Sequence, residues 1–264
     1  YDIRLSLVGS EMCIRDSYVA EKTVVVAAGN FDVDPWMALA KELFAGMRAS
    51  TDVPVLQQAT PAKYVGQSLA RRFTQVSQVF VNVAYPLVPA AQEQGARRRS
   101  RLAASLAAYL FGEGMSSPLV DTVREQLGLA YTAYAAMESG DVWANFIVHA
   151  VTTPDKLEAL LTATRRLLQA QAAGIDPVHL ERAKNQLTVS RVRSGERTYA
   201  TMEQAVEELF ANGTVTPIAE TLAMIDDIGA EEVRMVFERM LAHPPALAIT
   251  GKGVSAKACL LYTS

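Results

Sequence analysis

The sequence predicts an α+β domain, an antiparallel sheet with helices packed on one face. Three observations carry this reading. β-Branched apolar runs occur as a hairpin-linked pair, and helical periodicities are gathered in blocks instead of alternating with strands. Half of the 264 residues are apolar, enough to fill a full core. A formal net charge of -3 supplies no field for gripping nucleic acid. No apolar run approaches the ~18 residues a membrane-spanning helix needs, and no secretory signal pattern is present.

The elements follow in order. Thr23 to Ala28 (TVVVAA) is β-branched, apolar and bounded by Gly29 and Asn30, so it reads as a buried strand. A helix is expected next, capped by Asp34 with Pro35 at its first position and striped by Trp36, Met37, Ala40, Leu43, Phe44 and Met47. Residues 48–63 lose periodicity and read as a connection between two units. Beyond it come a strand, Gln78 to Tyr85, stopped by Pro86, and a long helix over about Gln92 to Phe111 using Leu102, Leu106 and Leu110. The basic run Arg97, Arg98, Arg99 and Arg101 reads as a solvated face of that helix.

Gly112 and Gly114 stop the helix, a short one spans Ser117 to Leu127, and Gly128 ends it. Leu129 to Met137 and Val142 to Val151 then form an antiparallel pair around Glu138, Ser139, Gly140 and Asp141. Three of the following helices are expected to start at a capping side chain before proline: Thr153-Pro154, Asp176-Pro177 and Thr216-Pro217. Stripes of Leu157, Leu160, Leu161, Leu167 and Leu168, of Leu180, Ala183 and Leu187, and of Val233, Val236, Phe237 and Met240 mark three of the helices in this block. Between them fall a helix using Met202, Ala205, Val206, Leu209 and Phe210 and one using Ile218, Leu222 and Ile225. Ala246 to Thr250 closes as a strand before Gly251, echoing TVVVAAGN.

A zinc hydrolase needs two imidazoles one helical turn apart and a carboxylate to activate water. His149, His179 and His243 are separated by 30 and 64 residues, in neither H-x-x-E-H nor H-E-x-x-H context. His149 falls inside an apolar strand and reads as a hydrogen-bonded structural histidine. No G-x-S-x-G elbow is present, and Ser116 and Ser117 have no base near them in sequence. Glu207-Glu208, Asp226-Asp227 and Glu231-Glu232 read as solvated helix faces.

The segment GEGMSSPLVDTVREQLGLAYTAYA, Gly112 to Ala135, is dense in unusual choices. Its residues alone leave bland readings open. Arg124 suits the C-terminal dipole of a helix, Tyr131 is a good strand residue, and the lone G-x-G lacks the lysine of a phosphate-binding loop. In order and spacing, however, the segment resembles the second-domain signature of pitrilysin/insulinase-type zinc peptidases: a glycine-rich turn, Met-Ser-Ser, a helix with Arg-Glu, then Gly-Leu-Ala-Tyr. VVVAAGNFDVDPWMALAKELF is similar to the strand and helix that end that family's first domain, and the run from Asp176 through LAITGKG to its last helices and strand. Glu113 and Pro118 depart from the pattern, where a third glycine and a basic residue are common.

The resemblance implies one half of a two-domain clamshell metallopeptidase: residues 18–50 a remnant of the metal-bearing first domain, 51–75 a linker and 76–257 the C-terminal domain. It also implies a function, clamping extended peptides for hydrolysis. Arg124 would bind substrate, and Tyr131 would bind substrate and stabilise the transition state as a catalytic group. No metal site is expected in this chain. Zinc is expected in the missing N-terminal half or in a partner, with this piece inactive alone. The alternative is a metal-free subunit or structural homologue that assembles with a zinc-bearing partner, as a homo- or hetero-dimer. Ser6 to Ser17 and Cys259 to Ser264 resemble translated sequencing-adapter read-through, so residues 1–17 and 258–264 are set aside as artefactual. They contain both cysteines, Cys13 and Cys259, which leaves no disulfide frame or thiolate site and no pointer to compartment, cytoplasmic or periplasmic.

Overall fold

The computed structural model describes residues 18–49, 63–87, 94–140 and 143–254, so the terminal segments and the first part of the linker read above, residues 51–62, lie outside the described residues. The chain divides into two units, Tyr1–Ala59 with Arg193–Val215, and Thr60–Val192 with Thr216–Ser264.

The second unit holds a five-stranded sheet in the order β1-β5-β2-β4-β3, from β1 (Ser68–Arg72), β2 (Val79–Pro86), β3 (Thr132–Ser139), β4 (Ala144–Thr152) and β5 (Ala246–Gly251). Three pairings are antiparallel; β1 lies parallel to β5. This edge strand gives little sequence signal, because in SLARR only Ala70 is even partly buried and pairing rests on the backbone. Along β2, Val79, Val81, Val83 and Tyr85 are buried while Phe80 and Asn82 alternate outward, the period-2 signature of a sheet covered on one face.

The covering layer comprises α2 (Gln94–Gly112), α4 (Leu157–Ala173), α5 (Pro177–Gly195, of which residues up to 192 belong to this unit), α7 (Ile218–Asp227) and α8 (Ala230–Leu241). Leu106, Leu110, Leu160, Leu187, Ile225 and Val233 are among the fully buried side chains it contributes. At its centre Phe111, Phe146 and Phe237 pack with ring centroids 5.6–6.0 Å apart, joining α2, β4 and α8. The expected α+β class, with helices on one face of the sheet, is the observed one.

Several local expectations are corrected. The basic run is not simply a solvated face. Arg99 forms a two-pronged pair with Glu232 (2.6 Å) and reaches Asp227 (2.7 Å), and Arg98 donates to Thr221 Oγ1 (2.7 Å), so α2 is tied to α7 and α8. Asp227 and Glu232 are therefore not merely solvated either, and the Arg99 hydrogen bonds hold the Glu232 carboxyl below its usual range. Asp176 caps α5 as expected, its Oδ1 accepting from Val178 N at 2.7 Å. Thr153-Pro154 instead forms a turn in which Lys156 N donates to the Thr153 carbonyl, and α4 begins at Leu157. Pro217, not Thr216, occupies the cap position of α7.

In the first unit α1 (Val33–Phe44) begins one residue after Asp32, which takes the cap position expected for Asp34. α6 (Thr198–Asn212) is its other helix. Thr23 to Ala28 is not a strand: it follows a 3-10 turn over Ala20–Lys22 and pairs with no strand among the described residues. β-Branched composition favours an extended backbone, but a strand exists only with a ladder partner.

Candidate functional site

The segment from Gly112 to Tyr131 is built from its glycines upward. Gly112 ends α2 hard against β3, where a Cβ would collide with the backbone and side chain of Ala135. Gly114 takes φ +79°, a turn conformation that favours glycine. Ser117 is fully buried: its hydroxyl donates to the Gly114 carbonyl at 2.7 Å and accepts from Val120 N at 3.4 Å, capping α3 (Pro118–Val120) with Pro118 at the first helical position.

The expected single helix from Ser117 to Leu127 changes type within itself. Over Asp121–Gln126 it widens into a π-helical turn, closed by Leu127 N donating to the Thr122 carbonyl at 3.0 Å. Val123 anchors this turn in the core at 0 % exposure, and its carbonyl accepts from both Leu129 N and Ala130 N. Gly128, at φ +55°, makes the reversal between helix and strand.

Arg124 and Tyr131 flank that reversal. The Arg124 side chain is 48 % exposed, and its ion pair at 3.3 Å is with its neighbour Glu125, an exposed contact that leaves the guanidinium free to exchange partners. Tyr131 is 78 % exposed. It stands one residue before β3, not within a strand starting at Leu129, although its backbone N already donates to the Val151 carbonyl at 2.9 Å. Two exposed polar side chains thus stand on a framework that is buried and hydrogen-bonded.

Sequence reading did not identify the side chains that hold this framework. Thr152 Oγ1 donates to the Leu129 carbonyl at 2.6 Å and Lys156 Nζ to the Gly128 carbonyl at 2.8 Å, fixing the reversal from β4 and the start of α4. On the other side Arg182 of α5 donates to the carbonyls of Leu110 (2.8 Å) and Glu113 (2.9 Å). These partners are 23 to 72 residues apart in sequence, so no local motif signals them.

The histidines do not converge. His149 sits on the uncovered face of β4 with Nδ1 2.9 Å from Asn82 Oδ1 and its ring 5.0 Å from that of Tyr134; burial pushes its pKa below the ordinary value. His179 lies on α5 and His243 just after α8. Among the described residues no group of three or more His, Cys, Asp or Glu is placed to hold a metal ion, so their donor set does not fit zinc.

Comparison with known proteins matches residues 12–187 to the family described as the peptidase M16 inactive domain. An uncharacterized zinc protease of Mycobacterium tuberculosis is 27 % identical over 238 residues, covering 89 % of this chain and 52 % of its own length. The chain therefore spans about half the length of that relative. Among solved structures, a peptidase M16 inactive domain from Pseudomonas fluorescens superposes with a TM-score of 0.69 at 18 % identity, over 86 % of this chain and 53 % of that one. A chain of complex III2 from Candida albicans gives 0.72 at 17 % identity, over 84 % and 53 %.

Proposed function

We propose, from the premise that this chain belongs to the peptidase M16 inactive-domain family, that it is the substrate-clamping half of a zinc-dependent endopeptidase acting on extended peptides. Residues 76–257, together with β1 (Ser68–Arg72), which pairs with β5 from within the stretch read as linker, would form the clamping domain and residues 18–50 the end of the metal-bearing domain. The observation that carries the reading is the exposure of Arg124 and Tyr131 beside a buried, multiply hydrogen-bonded reversal. A purely structural arginine or tyrosine is used up by the fold, whereas these two hold out their polar ends.

The chemistry assigned to the chain's own residues is binding and orientation. A peptide held in extended form offers a row of carbonyls with little dependence on its side chains. The planar guanidinium of Arg124 anchors one of them as a charged donor. The Tyr131 phenol donates to the carbonyl under attack, a contact that strengthens as negative charge gathers on that oxygen. Zinc, when supplied by the other half, provides the activated water. The zinc names of relatives support that division of labour, and the dispersed histidines place no such step on the described residues of this chain.

A second reading is supported by the likeness to a complex III2 chain: the chain derives from a metal-free subunit that assembles with a separate zinc-bearing partner. Substitution in an assembly with a zinc-bearing half tests the clamp in either case. Tyr131→Phe is expected to lower kcat about 10- to 1000-fold, the scale for one lost oxyanion donor, with unchanged melting. Arg124→Ala is expected to raise KM and lower kcat together. Normal kcat/KM in both variants would reject the assignment; lowered Tm with normal activity would return both residues to structural roles.

A further inference from the structure

α5 presents two faces. Leu180, Ala183 and Leu187 are buried in the core, while Arg182, Gln186 and Ser190 follow one another at helical spacing on a polar stripe. That stripe meets the end of α2 and the glycine-serine turn. Ser190 Oγ accepts from the Tyr109 hydroxyl at 3.0 Å, and a Cβ on Gly114 would come within 2.8 Å of Gln186 Nε2. Arg182 makes the decisive contacts. One terminal nitrogen donates to the Leu110 carbonyl; the other donates to the Glu113 carbonyl and reaches Ser116 Oγ at 3.5 Å.

The Leu110 carbonyl lies in the last turn of α2 and that of Glu113 just past its end, both at the negative end of the helix dipole, so a cation there is favoured twice, by charge and by hydrogen bonds. A lysine would meet one carbonyl at a time. The guanidinium fork spans both and fixes the direction in which the chain leaves the helix. Four residues after Glu113 stands Ser117, whose cap starts the helix that carries Arg124.

We propose that Arg182 is a positioning residue for the substrate clamp: by gripping both ends of the turn from Leu110 to Glu113 and the Ser116 hydroxyl, it sets where α3 begins and hence where Arg124 and Tyr131 stand. This rests on the clamp reading above. Arg182 touches no substrate, and its effect passes entirely through the turn. Its side chain is half-buried, with Nε enclosed away from solvent, so it belongs to the framework and not to the binding surface.

The test uses this chain assembled with a zinc-bearing half, its metal removed by chelation so that the probe stays whole, with fluorescein-labelled casein as the extended-peptide probe, read by fluorescence polarisation, and with amide hydrogen exchange in parallel. Arg182→Ala is expected to weaken binding on the order of 10-fold, the effect of misplacing a contact group by a fraction of its reach. Exchange should accelerate only across residues 113–131, and Arg182→Lys, which keeps one carbonyl contact, should fall between alanine and wild type. Two outcomes overturn the proposal alone: Arg124→Ala weakens binding while Arg182→Ala does not, or every Arg182 variant raises exchange throughout the core, including β2 and α8. If Arg124→Ala binds casein as the wild type does, or the wild type does not bind it, the clamp reading itself falls and takes this inference with it.

Discussion

His149 shows how one residue on the uncovered sheet face links burial to pH. Asn82, His149 and Tyr134 stand side by side across β2, β4 and β3, with Nδ1 paired to the asparagine and the imidazole against the phenol ring. Burial favours the neutral ring, so the folded pKa lies below the unfolded value of about 6.5. The unfolded chain therefore binds more protons between those two values. The stabilising contribution is complete above about 6.5 and is lost as pH falls through the folded pKa. Denaturant titrations across this range should show wild-type stability declining toward acid more steeply than that of His149→Gln; coincident pH profiles would refute the linkage. At this scale the sequence was legible where chemistry is local. A histidine within an apolar strand reads as structural, and it is paired as such. Arg124 and Tyr131 were picked out by their spacing in a recognisable signature, but Arg182, Thr152 and Lys156 were not. Their importance lies in which carbonyls they reach, and that is decided by folding of the whole unit.

At the scale of elements, periodicity predicted the helices that have a core to face, and failed where pairing or caps decide. α2, α5 and α8 follow their leucine, valine and phenylalanine stripes. β1 escaped because its side chains carry no pattern, and Thr23–Ala28 was over-read because β propensity is not a ladder. The contact of α2 with β3 is the most demanding of these packings. With hydrogen alone at Gly112, helix and strand backbones meet where no side chain fits. Gly112→Ala should cost about 1–3 kcal/mol as an overpacked contact. Gly174→Ala, at a site where a Cβ meets nothing within 4 Å, should stay within about 0.5 kcal/mol. Equilibrium urea denaturation of the two variants compares them directly, and equal midpoints would mean that the strand yields to the methyl group.

For the whole molecule, the two units differ in how much they bury. In the unit built on the sheet, side chains from three strands, β2, β4 and β5, and from six helices reach full burial. In the unit of Tyr1–Ala59 with Arg193–Val215, α1 buries no residue, and Val33, Met37, Leu39, Leu43 and Phe44 are exposed along it. Apolar burial is the main source of protection against opening. Amides in Val33–Phe44 and Thr198–Asn212 should therefore exchange far faster than those of α2, α8 and β2, which should exchange near the rate of global unfolding. Equal protection in the two sets would refute that ranking. The exposed apolar stripe also explains why composition alone misleads: Met37, Leu43 and Phe44 look like core in a linear sequence, yet a helix face becomes core only when another surface covers it.

The π-helical turn at Asp121–Gln126 has a consequence for how such chains change length. A π turn carries one residue more than the α-helix it interrupts, and here the surplus is absorbed between Ser117, which is buried, and the reversal at Gly128. A shortening by one position between Ser117 and Arg124 would let the segment relax to plain α-helix while keeping the seven-residue interval from Arg124 to Tyr131. A shortening between Arg124 and Gly128 would break that interval instead. In the vocabulary of sequence comparison, a gap is tolerable on one side of Arg124 and disruptive on the other, and an alignment that places it on the wrong side will pair the wrong residues throughout the signature.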